Sequence, residues 1–272
     1  MIRKIFKKFL PNIIYNILSG FYVILRNPKK ELPNYILKRK FFVKDEKRNN
    51  LFSLRMMGGA TLGRGTHFYI AEPETIDWIK NFNNDSVFFD IGANIGVYSL
   101  FAAKLNQNVV SFEPESHNFT ALNININDNN FQKKIISYPI ALDEKMIISK
   151  LNIDKFRFGG SGHSFNRSTN SQGNKFEPSH IQGSISITLD KFCEETKIYP
   201  DYVKIDVDGN ELKIINGMNN LLASKKIKSI LIELDRTYSE HLEAINTLKS
   251  FGYNLKYYKI ENGCSNHIFI LN

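Results

Sequence analysis

Apolar positions in this chain gather into short continuous runs, separated by stretches with helical spacing. The first strong run, Val87-Phe88-Phe89-Asp90-Ile91, ends beside an acid and crosses Gly92-Ala93-Asn94-Ile95-Gly96. It then re-emerges as a helix-like segment over residues 95–105. Runs at 109–113, 135–138, 185–189, 201–206 and 230–232 also read as strands. A shorter strand is expected at 146–151. Helical patterns fall between them: one opens near Glu115, one covers 210–223, and one covers 239–250 with Leu242, Ile245 and Leu248 on one side. Two final runs, 253–259 and 268–271, flank Glu261-Asn262-Gly263, a hairpin turn. Strands alternating with helices predict a doubly wound, mostly parallel sheet with helices on both faces and one antiparallel edge strand.

The remaining segments are less regular. His67 to Ile70 reads as a short strand, and Glu72 to Ile79 as a helix with proline in its first turn. Residues 27–50, around Pro28 and Pro33, read as a basic surface linker. Residues 154–184 are dense in Gly, Ser, Asn and His and read as one long loop, a length usually tied to function or disorder.

At 272 residues, with 42% hydrophobic and 23% charged positions, the chain has room for one large core and a small extension. The net charge of +9 resembles a nucleic-acid signal until it is located. Residues 1–48 hold 13 Lys and Arg against 3 acids, and the other 224 residues hold 23 against 24. The domain body is neutral, so no nucleic-acid partner is expected. The division expected is a basic, partly apolar helical extension over 1–50 and a catalytic domain over 51–272.

Within the extension, Leu10 to Leu25 is broken by Pro11, Asn12, Asn16, Ser19 and Gly20, and falls short of the roughly 20 residues that span a bilayer. Three readings stay open: a helix lying on an anionic membrane surface, a helix packed on the domain or on a second subunit, and a true insertion. Two cysteines, Cys193 and Cys264, make no disulfide scaffold or zinc site, which points to a reducing compartment. The expected location is cytoplasmic, and on the first of these readings residues 1–48 touch the inner face of the membrane.

The candidate chemistry sits at strand ends. Gly92 permits a tight turn, and Gly96 a close helix contact. Asn94 stands where a pyrophosphate loop usually has glycine, and Asp90 adds negative charge. Both suit a zwitterionic ligand with an ammonium group better than a dinucleotide. Glu113, 23 residues after Asp90, suits a pair of ribose hydroxyls. Asp143 follows the third strand and is placed to accept from an adenine amino group. Asp206 closes a buried strand, where an acid needs a partner. Asp206, Asp208 and Glu211 lie within six residues and leave a divalent cation open. Glu233 and Asp235 close the next strand and are candidates for the acceptor side. His163, in the glycine-rich part of the long loop, is a candidate base.

Taken together, Phe89-Asp90-Ile91-Gly92-Ala93-Asn94-Ile95-Gly96, Phe112-Glu113-Pro114, Thr188-Leu189-Asp190, Lys204-Ile205-Asp206-Val207-Asp208-Gly209-Asn210-Glu211 and Ile232-Glu233 resemble the FkbM family of S-adenosylmethionine-dependent methyltransferases. Glu72-Pro73-Glu74 and Ala141-Leu142-Asp143 resemble it too, and the likeness runs over about residues 66–271. Asp208 stands where the family commonly has Glu. The resemblance implies a seven-stranded class I methyltransferase sheet and methyl transfer to oxygen of a sugar or natural-product hydroxyl. It places Asp90, Gly92, Asn94 and Gly96 around the methionine part of S-adenosylmethionine, Glu113 at its ribose and Asp143 at its adenine. The function expected is O-methylation of a saccharide, glycolipid or lipid-linked acceptor, with Asp206 as first-choice base and His163 as second. The alternatives are a nicotinamide-dependent oxidoreductase and a non-catalytic membrane- or partner-binding module with a degenerate cofactor site.

Overall fold

A computed structural model describes residues 39–169, 174–258 and 263–271. The described chain opens with an antiparallel hairpin, β1 (Lys40–Lys44) and β2 (Asn50–Arg55). Residues 40–50 are thus strand and turn rather than linker, and the division expected at residue 50 cuts through the hairpin. Phe52 and Leu54 are buried. The β2 main chain docks on the helix Ser116–Asp128 and the residue after it. Asn129 bonds both the N–H and the C=O of Ser53 at 2.7 Å, and Arg55 grips Asp128 through two bonds of 2.8 Å. The expected turn at 261–262 and the membrane or packing role of residues 1–38 lie outside the described residues. No helix among the described residues is long and apolar enough to cross a membrane.

Helices Gly59–Thr66 and Phe68–Ala71 come next, the second in place of the strand expected at 67–70. Phe68 alone is buried there, edge-on to Phe52 at 5.4 Å and Phe101 at 5.2 Å, while Tyr69 and Ile70 are exposed. One inward residue in a turn of four suits a helix; two alternating inward residues would have suited a strand. The helix Pro73–Lys80 follows, with Pro73 at its start, Glu74 in its first turn and Lys80 in its last. Its Trp78 packs on Phe88 and donates Nε1–H to Ser229 Oγ at 2.9 Å.

The remaining strands are β3 (Val87–Ile91), β4 (Asn108–Phe112), β5 (Ile135–Tyr138), β6 (Ala141–Leu142), β7 (Ile147–Ile153), β8 (Ser164–Phe165), β9 (His180–Ile187), β10 (Tyr202–Ile205), β11 (Ser229–Leu234), β12 (Tyr253–Tyr258) and β13 (Ser265–Leu271). Seven form the main sheet in the order β12-β13-β11-β10-β3-β4-β5. All are parallel except β13, which runs antiparallel to β11 and β12. This is the doubly wound class I methyltransferase arrangement.

Neighbouring residues on these strands face opposite ways. Phe88 joins a core with Leu100, Phe101, Leu122 and Ile126 from the helices Val97–Lys104 and Ser116–Asp128. Phe89 joins another with Phe192, Ile214, Ile215 and Leu248 from the helices Leu189–Thr196, Glu211–Asn216 and Ser239–Ser250. A helix layer therefore covers each face, and the strand order reverses between β3 and β10. Ile91 pairs with both Phe112 and Ile205, so the carboxyl ends of β3, β4 and β10 align at that switch point.

Two expected elements differ. The stretch 154–184 is partly folded into a second sheet, β6-β9-β7-β8, where β7 and β9 pair from Ile147↔Ser186 to Ile153↔His180. The single helix expected over 210–223 is two, Glu211–Asn216 and Asn219–Ala223. They break at Gly217, where a Cβ would lie 2.4 Å from the Asp143 carbonyl oxygen. The Asp190 carboxylate then caps the second helix by accepting from Asn220 and Leu221 N–H at 2.8 and 2.9 Å.

Candidate active site

A crevice of about 220 Å³ opens at the switch point. Its wall begins at Gly92, where φ is +82° and a Cβ would sit 1.8 Å from the Asp206 carbonyl oxygen. Only glycine lets β3 and β10 end so close together. The turn does not, however, offer its amides to a ligand. Gly92 and Ala93 N–H donate to Phe112 O, Asn94 N–H to Glu113 Oε2, Ile95 N–H to Asn94 Oδ1 and Gly96 N–H to Ala93 O. Gly96, at φ +87°, brings the turn against Leu122, whose Cδ1 lies 2.4 Å from where its Cβ would be.

Glu113 is fixed by that turn. Its carboxylate accepts from Asn94 N–H at 2.8 Å and Glu115 N–H at 2.9 Å while lining the crevice. Burial pushes its carboxyl up to about 8 against those two donors. Asp90 is buried behind the wall and does not line it. It accepts from Ser99 Oγ at 2.5 Å, and burial raises its carboxyl although the nearby Lys204 charge opposes this.

Across the crevice, Asp206 meets the buried Lys204 ammonium at 2.6 Å. Burial works to raise the Asp206 carboxyl, but Lys204 outweighs it and holds the group below the usual carboxylate range. Lys204 is held charged by Asp206, with Glu72 and Asp90 adding to it against the cost of burial. Glu233, one strand over, is pushed up to about 9, first by the Asp206 charge and then by burial. Asp208, at φ +59°, is raised to about 6 by burial and then by Asp206. The site thus holds an ionised carboxylate beside a protonated one.

The strap 159–163 closes the opposite side. Asn118 bonds both Gly159 N–H and Gly160 O, Asn94 Nδ2 donates to Gly160 O at 2.6 Å, and Gly162 N–H donates to Asp208 Oδ2 at 2.7 Å. Farther along, Arg167 ties the strap to Gly209 O, Glu240 and the Tyr238 hydroxyl. His163 lines the crevice with both ring nitrogens buried and unpartnered, and burial lowers its pKa.

Three more expected site residues, besides Asp90, point elsewhere. Asp143 accepts from Glu144 N–H at 2.8 Å, lies 3.9 Å from Lys213 Nζ and does not line the crevice, whose nearby lining is the apolar Ile140, Ala141 and Leu142. Asp235 accepts from the N–H and hydroxyl of Thr237 and caps a turn. Glu211 uses Oε1 on Gly209 N–H and Oε2 on His241 Nε2, so Asp206, Asp208 and Glu211 do not converge. No group of three His, Cys, Asp or Glu among the described residues is placed for a metal. Arg64, Glu72, Lys204, Asn118 and Asn210 were not singled out from sequence for this site. A lysine inside the apolar strand Tyr202–Ile205 was a signal for one of them.

This is an acid-rich, glycine-walled crevice with an acid at the end of the second core strand. The model of the family described as Methyltransferase FkbM domain matches residues 90–255, from Asp90 to the start of the last hairpin. The chain belongs to the FkbM methyltransferase family. The FkbM chain is 26% identical over 170 residues to the hexuronic acid methyltransferase AglP of Haloferax volcanii, covering 57% of this chain and 59% of that protein. It therefore spans under two thirds of that relative's length. Among solved structures it is similar to precorrin-6y C5,15-methyltransferase of Geobacter metallireducens, with 13% identity, TM-score 0.44 and coverage of 74% and 87%. It is also similar to Aeropyrum pernix fibrillarin in complex with natively bound S-adenosyl-L-methionine, with 8% identity, TM-score 0.46 and coverage of 86% and 84%. The strand order itself, rather than these scores, establishes the fold.

Proposed function

We propose that this FkbM protein transfers the methyl group of S-adenosylmethionine to a hydroxyl oxygen of a saccharide, and that the switch-point crevice is where it does so. The observation that carries the reading is Glu113, clamped by two backbone N–H groups at the end of β4 with its carboxylate still facing the crevice. That is the geometry for holding two vicinal hydroxyls of a ribose, whose O–H donors favour the ionised carboxyl over the protonated one that burial favours in the empty crevice. The residues fit the cofactor in two further respects. Five carboxyl groups line the crevice (Glu72, Glu113, Asp206, Asp208 and Glu233), and the one that Lys204 holds ionised, Asp206, favours a cationic ligand. Phe112, Ile140, Ala141 and Leu142 provide an apolar seat for a base. Bound there, S-adenosylmethionine supplies an electrophilic methyl group on a sulfonium.

The chain's own part is to orient the acceptor and take its proton. A neutral hydroxyl becomes strongly acidic as its oxygen gains the methyl carbon, so a weak base late in the step suffices. Asp206 is that base: it is ionised, and Lys204 fixes its direction. His163, with two unused ring nitrogens, holds an acceptor hydroxyl. A saccharide acceptor is supported by the family and by the name of the Haloferax volcanii relative, which acts on a hexuronic acid. No step above uses a metal.

The test is transfer of tritiated methyl from S-adenosylmethionine to saccharide and glycolipid fractions of the native host. Label should appear in a glycan fraction and fall by about 10²-fold or more with Asp206→Asn, the usual scale of a general base. Label confined to protein or nucleic acid would overturn the acceptor class. Full activity of Asp206→Asn would remove its role as base.

A further inference from the structure

The crevice contains one cation that the reaction above does not use. Arg64, on the helix Gly59–Thr66, lines it together with Asn94, Glu113, His163 and Asp208. It is half-buried, and no hydrogen bond or ion pair joins its guanidinium to any described residue. The other positive groups near the site are engaged: Lys204 by Asp206 and Arg167 by Glu240. A partly buried guanidinium with five idle donors is suited to an anion that arrives with a ligand.

Two further features single out Arg64 for an anion. The 92–96 turn has each of its five N–H groups bonded internally, so it presents no free donor. The remaining charged lining is acidic, and the Lys204 ammonium is buried under Asp206. Among the described residues that line the crevice, Arg64 is the group whose charge attracts an anion.

We infer that Arg64 is the carboxylate receptor of this crevice, gripping a ligand carboxylate through paired N–H donors. This rests on the methyl-transfer reading and deepens it. The same chemistry has two sources there, the amino-acid end of the cofactor and the carboxylate of a uronic acid acceptor.

Calorimetry on the full chain separates them. The probes are S-adenosylhomocysteine, methylthioadenosine (the same nucleoside without the amino-acid end), and methyl glucuronide beside methyl glucoside with S-adenosylhomocysteine present. If the cofactor is the source, Arg64→Gln weakens S-adenosylhomocysteine by about 10-fold or more and leaves methylthioadenosine unchanged, the scale of a charged hydrogen bond lost. If the acceptor is the source, Arg64→Gln leaves S-adenosylhomocysteine intact and abolishes the preference for glucuronide over glucoside. Arg64→Lys should keep part of either effect, and it makes the same comparison should the glutamine variant fail to fold. Two results overturn the inference: variants that bind every probe as the wild type does, or that lose S-adenosylhomocysteine and methylthioadenosine equally. Failure of the wild type to bind either nucleoside would instead bring down the methyl-transfer reading, and the Arg64 assignment with it.

Discussion

Lys204 Nζ lies 2.6 Å from Asp206 Oδ2, an ion pair between residues two apart at the end of one strand and therefore on one face of it. The lysine is buried and the aspartate borders the crevice, so the pair sets the charge of the site from below. It keeps Asp206 ionised, and Asp206 in turn keeps Glu233 protonated.

Removing the lysine should therefore be severe. Lys204→Met leaves Asp206 beside Asp90 and Glu72 without its bonded cation, the more distant Arg64 being the positive group that still acts on it. Breaking one side of a buried pair costs about 3–5 kcal/mol. Urea denaturation should show a loss of that size, whereas a loss below about 1 kcal/mol would mean that the pair is not holding the strand end.

The pH dependence has a definite sign. Glu233 at about 9 and Glu113 at about 8 hold protons in the folded protein that the unfolded chain releases near its ordinary carboxylate pKa. Their contribution is fully present below that unfolded value and is lost as pH rises through about 8 and 9. Asp206 acts oppositely, contributing above its unfolded pKa and losing that contribution as pH falls through its lowered folded value. Thermal unfolding should thus weaken from about pH 6 to about pH 9, and Glu233→Gln should flatten that limb. Parallel curves for the two proteins would show that Glu233 is not protonated in the fold.

Gly92→Ala tests the close approach of β3 and β10. Its Cβ would lie 1.8 Å from the Asp206 carbonyl oxygen at a left-handed φ. Strain and overpacking together give a loss of roughly 2–5 kcal/mol. Gly183→Ala, with nothing within 4 Å and no positive φ, should stay within about 0.5 kcal/mol by the same denaturation assay.

The strap depends on Arg167, whose guanidinium joins Gly209 O, Glu240 and Tyr238. Arg167→Ala should speed amide exchange over residues 159–165 while leaving β3 and β10 as protected as in the wild type. Unchanged exchange in the strap would mean that Asn94, Asn118 and Asp208 hold it unaided.

The main sheet was legible because its strands are buried on both faces and so stand out as apolar runs, as with Phe88 and Phe89 serving two different cores. The strand-end acids were legible only in part. An acid after a strand can face a ligand, as Glu113 does, or cap the next turn, as Asp143 and Asp235 do, and the residue type is the same in both cases. The β7–β9 pairing was missed because it joins residues about thirty apart, such as Ile153 and His180, across a polar stretch with no alternation to mark it. Arg64 gave no signal, lying between two glycines in a helix without a side-chain cap.

A crystal structure grown with S-adenosylhomocysteine tests the central claim most directly. The ligand should lie in the switch-point crevice, its ribose hydroxyls on the Glu113 carboxylate and its base against Ile140, Ala141 and Leu142. A crevice left empty at saturating ligand, or a ligand seated instead in the groove beside Asp190, Cys193 and Tyr199, would contradict it.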